Sequence, residues 1–290
     1  MTQRVDAAAP SLLVPLAWAN LVANIAIVLT GGAVRLTGSG LGCPTWPRCT
    51  EESYVPHGEL GMHGAIEFGN RMLTFAVGVV ALMTFLAAWR SGDRRARTLA
   101  LLVGLYVPAQ AVIGGITVLT DLNPWVVAFH FLSSMVIIAL CVMLLDHLVS
   151  PARAAAGRRT RTLTWSAFGT GWVVLYLGTV VTGSGPHSGD LDSRRTGLDP
   201  QVMSHVHAGA VYLLVALTIA VLVAAVRVGN RPVRDAAVAL LLLELAQGAV
   251  GFTQYYLDLP ELLVLLHLLG AALTSAALAW LVLAGRAAAA

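Results

Sequence analysis

Residues 122–145 read LNPWVVAFHFLSSMVIIALCVMLL and contain no charged side chain. A helix needs about 20 apolar residues to cross a hydrocarbon core of about 30 Å, so this stretch is long enough to span a membrane. Its apolar positions are continuous rather than alternating, which favours a helix over a barrel strand. The whole 290-residue chain is 57% hydrophobic and 11% charged. Soluble domains carry about 25% charged residues, so this composition excludes a water-soluble globular protein and a disordered one.

Apolar stretches on both sides of this segment bring the number of predicted transmembrane helices to eight. The second span is expected to begin near Leu60 and so to contain Glu67 and Arg71, and Glu244 interrupts the seventh. The stretches cover residues 11–34, 60–89, 98–120, 122–145, 162–186, 200–226, 236–257 and 262–285. The predicted fold class is an all-α integral membrane protein.

The arginines indicate the orientation of these helices. All 18 basic residues are arginine. Eight alternating spans place on one side Arg4, Arg90, Arg94, Arg95, Arg97, Arg153, Arg158, Arg159, Arg161, Arg227, Arg231, Arg234 and Arg286. Positively charged loops mark the cytoplasmic side, so we expect both termini in the cytoplasm, in a protein of the cell membrane. The net charge of +3 then reflects topology, and no nucleic-acid partner is expected.

An internal repeat divides the chain into two tandem halves. A shift of 137 residues lays Gln110-Ala-Val-Ile-Gly114 over Gln247-Gly-Ala-Val-Gly251, and His130 over His267. Four spans are an even number, so both halves have the same orientation, related by an axis along the membrane normal. We therefore predict two pseudo-symmetric four-helix bundles, residues 1–150 and residues 151–290.

Histidines lie at matched depth in the predicted spans. His130, His207 and His267 are each expected roughly 10 Å below the outer surface. His207 and His267 belong to one half, and facing histidines in a four-helix bundle are what axial haem ligation requires. A hydrogen bond to a neighbouring helix is the alternative for any one of them. His205 points about 200° away from His207, so only one of the two can serve the iron, and the repeat favours His207.

The first half differs from the second at one ligand position. The repeat places Asn70 where the second half has a histidine, and asparagine is a poor iron ligand. His63, Glu67 and Asn70 lie on one stripe of the second span, and Arg71 follows directly. This half would have His130 as its one good ligand and an open coordination position, which is typical of a substrate site. The alternative for Glu67 and Arg71 is a structural ion pair.

Two cysteines flank a proline-containing stretch in the first outer loop. Cys43 and Cys49 enclose Pro44-Thr-Trp-Pro-Arg48, and the loop is expected to face an oxidising compartment. A disulfide is favoured. A redox-active dithiol and a metal site are the alternatives, and two thiols without nearby partners make the metal site the weaker one.

The stretch Gly31-Gly-Ala-Val-Arg-Leu-Thr-Gly-Ser-Gly-Leu-Gly-Cys-Pro-Thr-Trp-Pro-Arg-Cys49, followed by Ile66-Glu-Phe-Gly-Asn-Arg71, strongly resembles haem A synthase. The resemblance extends over the whole chain, through the eight spans, the repeat, the cysteine pair and the histidine positions. It implies a membrane oxidoreductase that oxidises the C8 methyl group of haem O to a formyl group by successive hydroxylation. The product, haem A, serves terminal oxidases.

The resemblance also implies roles for individual residues. The iron of a haem B cofactor would be bound by His207 and His267. Substrate haem O would be bound by His130, Asn70 and Arg71, with Glu67 as the catalytic residue. Many family members have a second histidine at the Asn70 position, so here the substrate iron would be five-coordinate or ligated by His130 alone. Arg35 and Arg71 could pair with Glu67 or with haem propionates.

The resemblance further implies partners, and two other classes of protein fit parts of the pattern. The implied partners are membrane lipid, an unidentified electron donor or acceptor, the enzyme that makes haem O, and oxidase assembly factors. The main alternative is a di-haem b-type electron-transfer cytochrome, which needs two axial ligand pairs, and Asn70 counts against the second pair. A transporter or haem-handling chaperone without redox chemistry is the other.

Overall fold

The structure, a computed structural model, describes residues 12–187, 189–190 and 193–287. Arg4 and both chain ends, for which we predict a cytoplasmic position, lie outside the described residues. Eight helices within the described residues are long and apolar enough to cross a membrane. They are α1 (Leu13–Leu36), α2 (Gly61–Arg90), α3 (Arg94–Leu119), α4 (Pro124–Val149), α5 (Arg158–Ser184), α6 (Pro200–Arg227), α7 (Arg231–Tyr256) and α8 (Glu261–Ala284). The predicted all-helical membrane fold with eight spans is confirmed.

Side-chain caps fix where several of these helices begin. Asp93, Asn123, Asp199 and Asn230 precede α3, α4, α6 and α7, and each accepts hydrogen bonds from backbone N–H groups of the first turn. Asn, Asp and proline are the residues preferred at these positions, and α4, α6 and α7 each have a proline in the first two positions. The capping residues in these loops therefore define where each helix begins.

The same unusual turn joins α3 to α4 and α7 to α8. Asp121 and Leu122 have φ of 51° and 54°, and Asp258 and Leu259 have φ of 55° and 59°. Residues with a side chain rarely adopt this left-handed conformation. In each turn the leucine N–H donates to a carbonyl five residues earlier, at 2.8 Å in both cases. The two turns are 137 residues apart, which supports the internal repeat.

Helix contacts form two closed rings that share one interface. Within α1–α4, each helix contacts the next and α4 returns to α1, and α5–α8 repeat this arrangement. The rings meet where α8 contacts α1 and α4, and where α4 contacts α5. This interface is the one that a two-fold pseudo-axis between the halves would produce. The largest buried apolar cluster includes Met135, Ile138 and Leu144 and lies toward the arginine-rich ends of the helices. The opposite ends of the helices are therefore less tightly packed.

Candidate functional site

A large cavity opens inside the two helix rings. Its volume is about 1640 Å³, and both halves contribute to its largely apolar wall. Pockets that hold one drug-sized molecule measure about 300–1,000 Å³, so this cavity has room for more than one such ligand. His130, His207 and His267, which the sequence places at matched depth, all line it.

In the second half, two imidazoles face each other across the cavity. The ring centroids of His207 and His267 are 6.5 Å apart, and the ring planes are inclined at 73°. Gly178 of α5 lies beside the His207 ring and Gly251 of α7 beside the His267 ring, since a Cβ atom at either glycine would come within 3.4 Å and 3.5 Å of the ring. The glycines therefore let each ring lie close against a helix backbone.

The donors of this pair fit an iron held between two imidazoles. A metal–nitrogen bond of about 2 Å on each side, plus about 1 Å from nitrogen to ring centre, separates the centroids by about 6 Å. The Nδ1 atom of His267 is buried and has no hydrogen-bond partner among the described residues, whereas the His207 ring contacts the Val174 backbone of α5. At His207 the hydrogen-bonding alternative is therefore met in part by the backbone of α5. A histidine that ligates a metal commonly uses its other ring nitrogen in this way, so the contact is also compatible with an iron ligand. In the part of the chain that the structure describes, no three His, Cys, Asp or Glu side chains converge on a bare metal ion. A haem iron needs only two, because the porphyrin supplies the other ligands.

The first half presents one imidazole and one amide. His130 lies against Gly114 of α3, and its buried Nδ1 atom likewise has no partner among the described residues. Gln110 donates to the backbone carbonyl of His130 at 3.2 Å, which fixes this turn of α4. The Asn70 side-chain oxygen accepts a hydrogen bond of 2.8 Å from the Thr30 hydroxyl. The amide is therefore held by α1, and His130 has no imidazole opposite it.

Glu67 and Arg71 form an ion pair within α2, as one of the two sequence interpretations expects. The Glu67 carboxylate accepts two bonds from the Arg71 guanidinium and one of 2.6 Å from the Cys43 N–H. Arg71 also donates to the backbone carbonyls of Cys43, Thr45 and Arg48, at 3.0–3.2 Å. Glu67 is 5% exposed, yet both side chains line the cavity. The pair ties the first outer loop to the wall of the site.

The first outer loop is folded onto the bundle. Cys43 and Cys49 form a disulfide and are fully buried. The Trp46 ring packs directly against Gly115 of α3, where any Cβ atom would overlap it, and Trp46 lines the cavity. The disulfide predicted from the sequence is present, and the loop that it closes contributes a wall of the site.

Three further ionisable residues of the predicted spans have partners outside the histidine pair and the ion pair. His63 is exposed and contacts the Ser39 hydroxyl at 3.0 Å. His205 is exposed and packs its ring beside Tyr255, so His207 is the residue that faces His267. Glu244 is buried in the cavity wall of the second half.

Arg35 has partners in the structure that the sequence did not predict. The sequence offers Glu67 or haem propionates as its partners, but its guanidinium donates to the carbonyls of Thr182, in the last turn of α5, and of His187, in the second long outer loop. The Glu67 pairing for Arg35 is therefore wrong. His187 is half-buried and donates to the Leu259 carbonyl at 2.9 Å. The Arg35 bonds cross between the halves, the His187 bond lies within the second half, and no periodic pattern in the sequence signals them.

Fold and site together define a class: a helical membrane protein in which two four-helix rings enclose a histidine-lined cavity. The family model described as COX15-CtaA, cytochrome oxidase assembly protein, matches residues 15–63 and 58–186. This match covers more than half of the chain, so the chain belongs to that family, and the haem A synthase family membership predicted from the sequence is confirmed. The match ends at Pro186, before the helices that carry His207 and His267.

Individual relatives agree with the family assignment. Proteins named heme A synthase from Bacillus cereus (strain AH187), Bacillus anthracis (strain CDC 684 / NRRL 3495) and Bacillus thuringiensis subsp. konkukian (strain 97-27) are each 35% identical to this chain over 125 residues. The alignments cover 42% of this chain and 40% of each relative, so less than half of either length is matched.

Proposed function

We propose that this protein is a haem A synthase. It oxidises the C8 methyl group of haem O by four electrons, which an external oxidant takes up. Two hydroxylations each replace a C–H bond by a C–OH bond, and the resulting geminal diol loses water to leave the formyl group of haem A. The observation that carries this proposal is the unequal set of imidazoles in one cavity, with a facing pair in the second half and a single imidazole in the first. Family membership and the name of the relatives support it.

The second half is the proposed cofactor site. His207 and His267 would hold haem B between them, and the 6.5 Å separation of their ring centroids fits this role. A haem with both axial positions filled supplies one-electron transfer. Gly178 lets the His207 ring lie against α5, and Gly251 lets the His267 ring lie against α7. The imidazoles are therefore oriented before any ligand binds.

The first half is the proposed substrate site. His130 ligates haem O on one face, and Asn70, held by Thr30, leaves the other face open. Arg71 uses one Nη1 hydrogen on the Arg48 carbonyl and has a second Nη1 hydrogen with which to bind a substrate propionate. An open coordination position beside a bound substrate suits oxidation rather than electron transfer.

Glu67 is the proposed catalytic residue. Arg71 and the Cys43 N–H hold its carboxylate in one orientation at the cavity wall. A fixed carboxylate in a low-dielectric site stabilises positive charge that develops at the methyl carbon, or accepts a proton released there. Either role requires the negative charge of the carboxylate, so Glu67→Gln should not support haem A formation.

The proposed orientation places both termini in the cytoplasm of a cell membrane and the two long loops outside. The arginine-rich loops lie on the inner side, and the disulfide-bonded loop then faces the compartment in which disulfides persist. We propose as partners haem O, membrane lipid, an unidentified electron donor or acceptor, the enzyme that makes haem O, and oxidase assembly factors.

Haem analysis of the purified protein tests the proposal. The pyridine haemochrome spectrum should show haem B with traces of haem O or haem A. His267→Ala should lose the low-spin haem B, whereas Glu67→Gln should keep haem B and form no haem A. Two equivalents of haem B with no haem O or A would support the di-haem cytochrome instead. Absence of haem, or normal haem A output from Glu67→Gln, would contradict the proposed site or the proposed role of Glu67 respectively.

A further inference from the structure

Glu244 is a buried carboxylate in the middle of α7 that the proposed reaction does not use. It is 4% exposed and lines the cavity. Its Oε1 atom accepts a hydrogen bond of 2.8 Å from the Thr218 hydroxyl, and its Oε2 atom has no partner among the described residues. A carboxylate buried without full pairing is costly inside a membrane, so its presence calls for a functional reason.

The repeat shows that the fold itself does not need this polar pair. A shift of 137 residues places Thr218 over Ala81 and Glu244 over Val107. Ala81 and Val107 pack together in an apolar cluster between α2 and α3. The same helix contact is thus made by apolar side chains in the first half, and the carboxylate is specific to the half that carries the facing histidines.

Glu244 lies on the face of α7 that is turned toward the histidine pair. It precedes Gly251, which touches the His267 ring, by seven residues, so it occupies the same face of α7 about 10 Å deeper in the membrane. Of the cavity-lining carboxylates, Glu67 is paired with Arg71, whereas Glu244 forms no ion pair with any described residue. The titratable groups that share its part of the wall are His205, His207 and Tyr212 of α6, His267 of α8, and Tyr255 and Tyr256 of α7.

We propose that Glu244 takes up one proton for each electron that enters the haem of the second half. A one-electron reductant converts ferric to ferrous iron, and the Glu244 carboxylate binds one proton from water to become a carboxylic acid, so the net charge of the site does not change. Reoxidation releases the electron and the proton together. In a low dielectric an added negative charge is strongly disfavoured, and a nearby unpaired carboxylate is the group that relieves it by protonation. The inference rests on the proposed haem B site.

A redox titration of the purified holoprotein, with dithionite and mediators, tests this coupling. The midpoint potential of the haem, followed by its absorption between about pH 5 and about pH 9, should fall as pH rises. One proton per electron gives a slope that approaches about 59 mV per pH unit, because a tenfold change in proton activity corresponds to that potential for one electron. Glu244→Gln keeps an acceptor for Thr218 and should lose most of the slope.

The control is Asp235→Asn, which removes an exposed carboxylate from the same helix and should keep the wild-type slope. If Glu244→Gln does not retain haem, the double variant Glu244→Val with Thr218→Ala, which copies the first half, takes its place. A wild-type potential that does not change with pH, or a slope that survives the loss of Glu244, overturns the inference while the haem site stands. A wild-type protein without haem B overturns the proposed function as well.

Discussion

The burial of the ion pair between Glu67 and Arg71 allows the loss of unfolding free energy on its removal to be predicted. Replacing Arg71 by methionine keeps an apolar stem of similar length and removes the guanidinium. The Glu67 carboxylate then keeps only the Cys43 N–H, and the carbonyls of Cys43, Thr45 and Arg48 lose their common donor. The Arg71 and Glu67 side chains are 17% and 7% exposed, so solvent screening is weak. Breaking a buried pair from one side costs about 3–5 kcal/mol, and we expect the free energy of unfolding to fall by that amount.

A double-mutant cycle separates the pair from the other bonds of each residue. Glu67→Gln keeps an acceptor for the Cys43 N–H and removes the charge, and the double variant removes both charges. We expect a coupling energy above about 1.5 kcal/mol, measured from unfolding in mixed dodecylmaltoside and dodecylsulfate micelles by circular dichroism. The matched control is Arg234→Met with Asp235→Asn, an ion pair whose side chains are 45% and 56% exposed and which should couple by less than about 1 kcal/mol. A coupling no larger than this control would refute a buried structural pair.

Further predictions concern an acid-sensitive cap, the disulfide and the open ligand position. Burial raises the pKa of Asp93, but hydrogen bonds from the Ala96 N–H and from His147 outweigh it and hold the pKa below its usual value. The stability that this carboxylate provides is therefore present above about pH 4 and lost as pH falls through the folded pKa, and Asp93→Asn should flatten that acid-side loss in melting temperature. Cys43→Ser with Cys49→Ser should cost about 2 kcal/mol of unfolding free energy, and reductant should then destabilise only the wild type. Asn70→His should add a second low-spin haem signal to the electron paramagnetic resonance spectrum and lower haem A output, whereas an unchanged spectrum would count against the open position.

Most of the helical framework could be predicted because membrane spans have a simple physical signature. The stretch 122–145 corresponds to α4, Pro124–Val149, and each other predicted span overlaps one helix. The predicted spans differ from the observed helices at the first and last residues. Helix α5 begins at Arg158, whereas the predicted span begins at 162, because arginine in a first turn can be helical in the polar headgroup region although it ends an apolar run.

The histidine pair could also be predicted, whereas the outer surface of the site could not. Depth and repeat position identify His207 and His267 because both follow from counting residues along regular helices. The packing of Trp46 against Gly115 and the bonds of Arg35 to the second outer loop depend on irregular backbone far apart in sequence. Such contacts leave no periodic pattern, so only the folded chain shows them.

The two halves show how little a shared scaffold determines about chemistry. Both place a histidine of the last helix against a glycine, His130 against Gly114 and His267 against Gly251. Both close with the same left-handed turn. At the position that the repeat relates to His207, the first half has Asn70, whose side-chain oxygen accepts a hydrogen bond from Thr30. Fold alone would therefore give both halves the same function. In the function proposed above, the replacement of one imidazole by an amide is what separates the electron-transfer site from the substrate site.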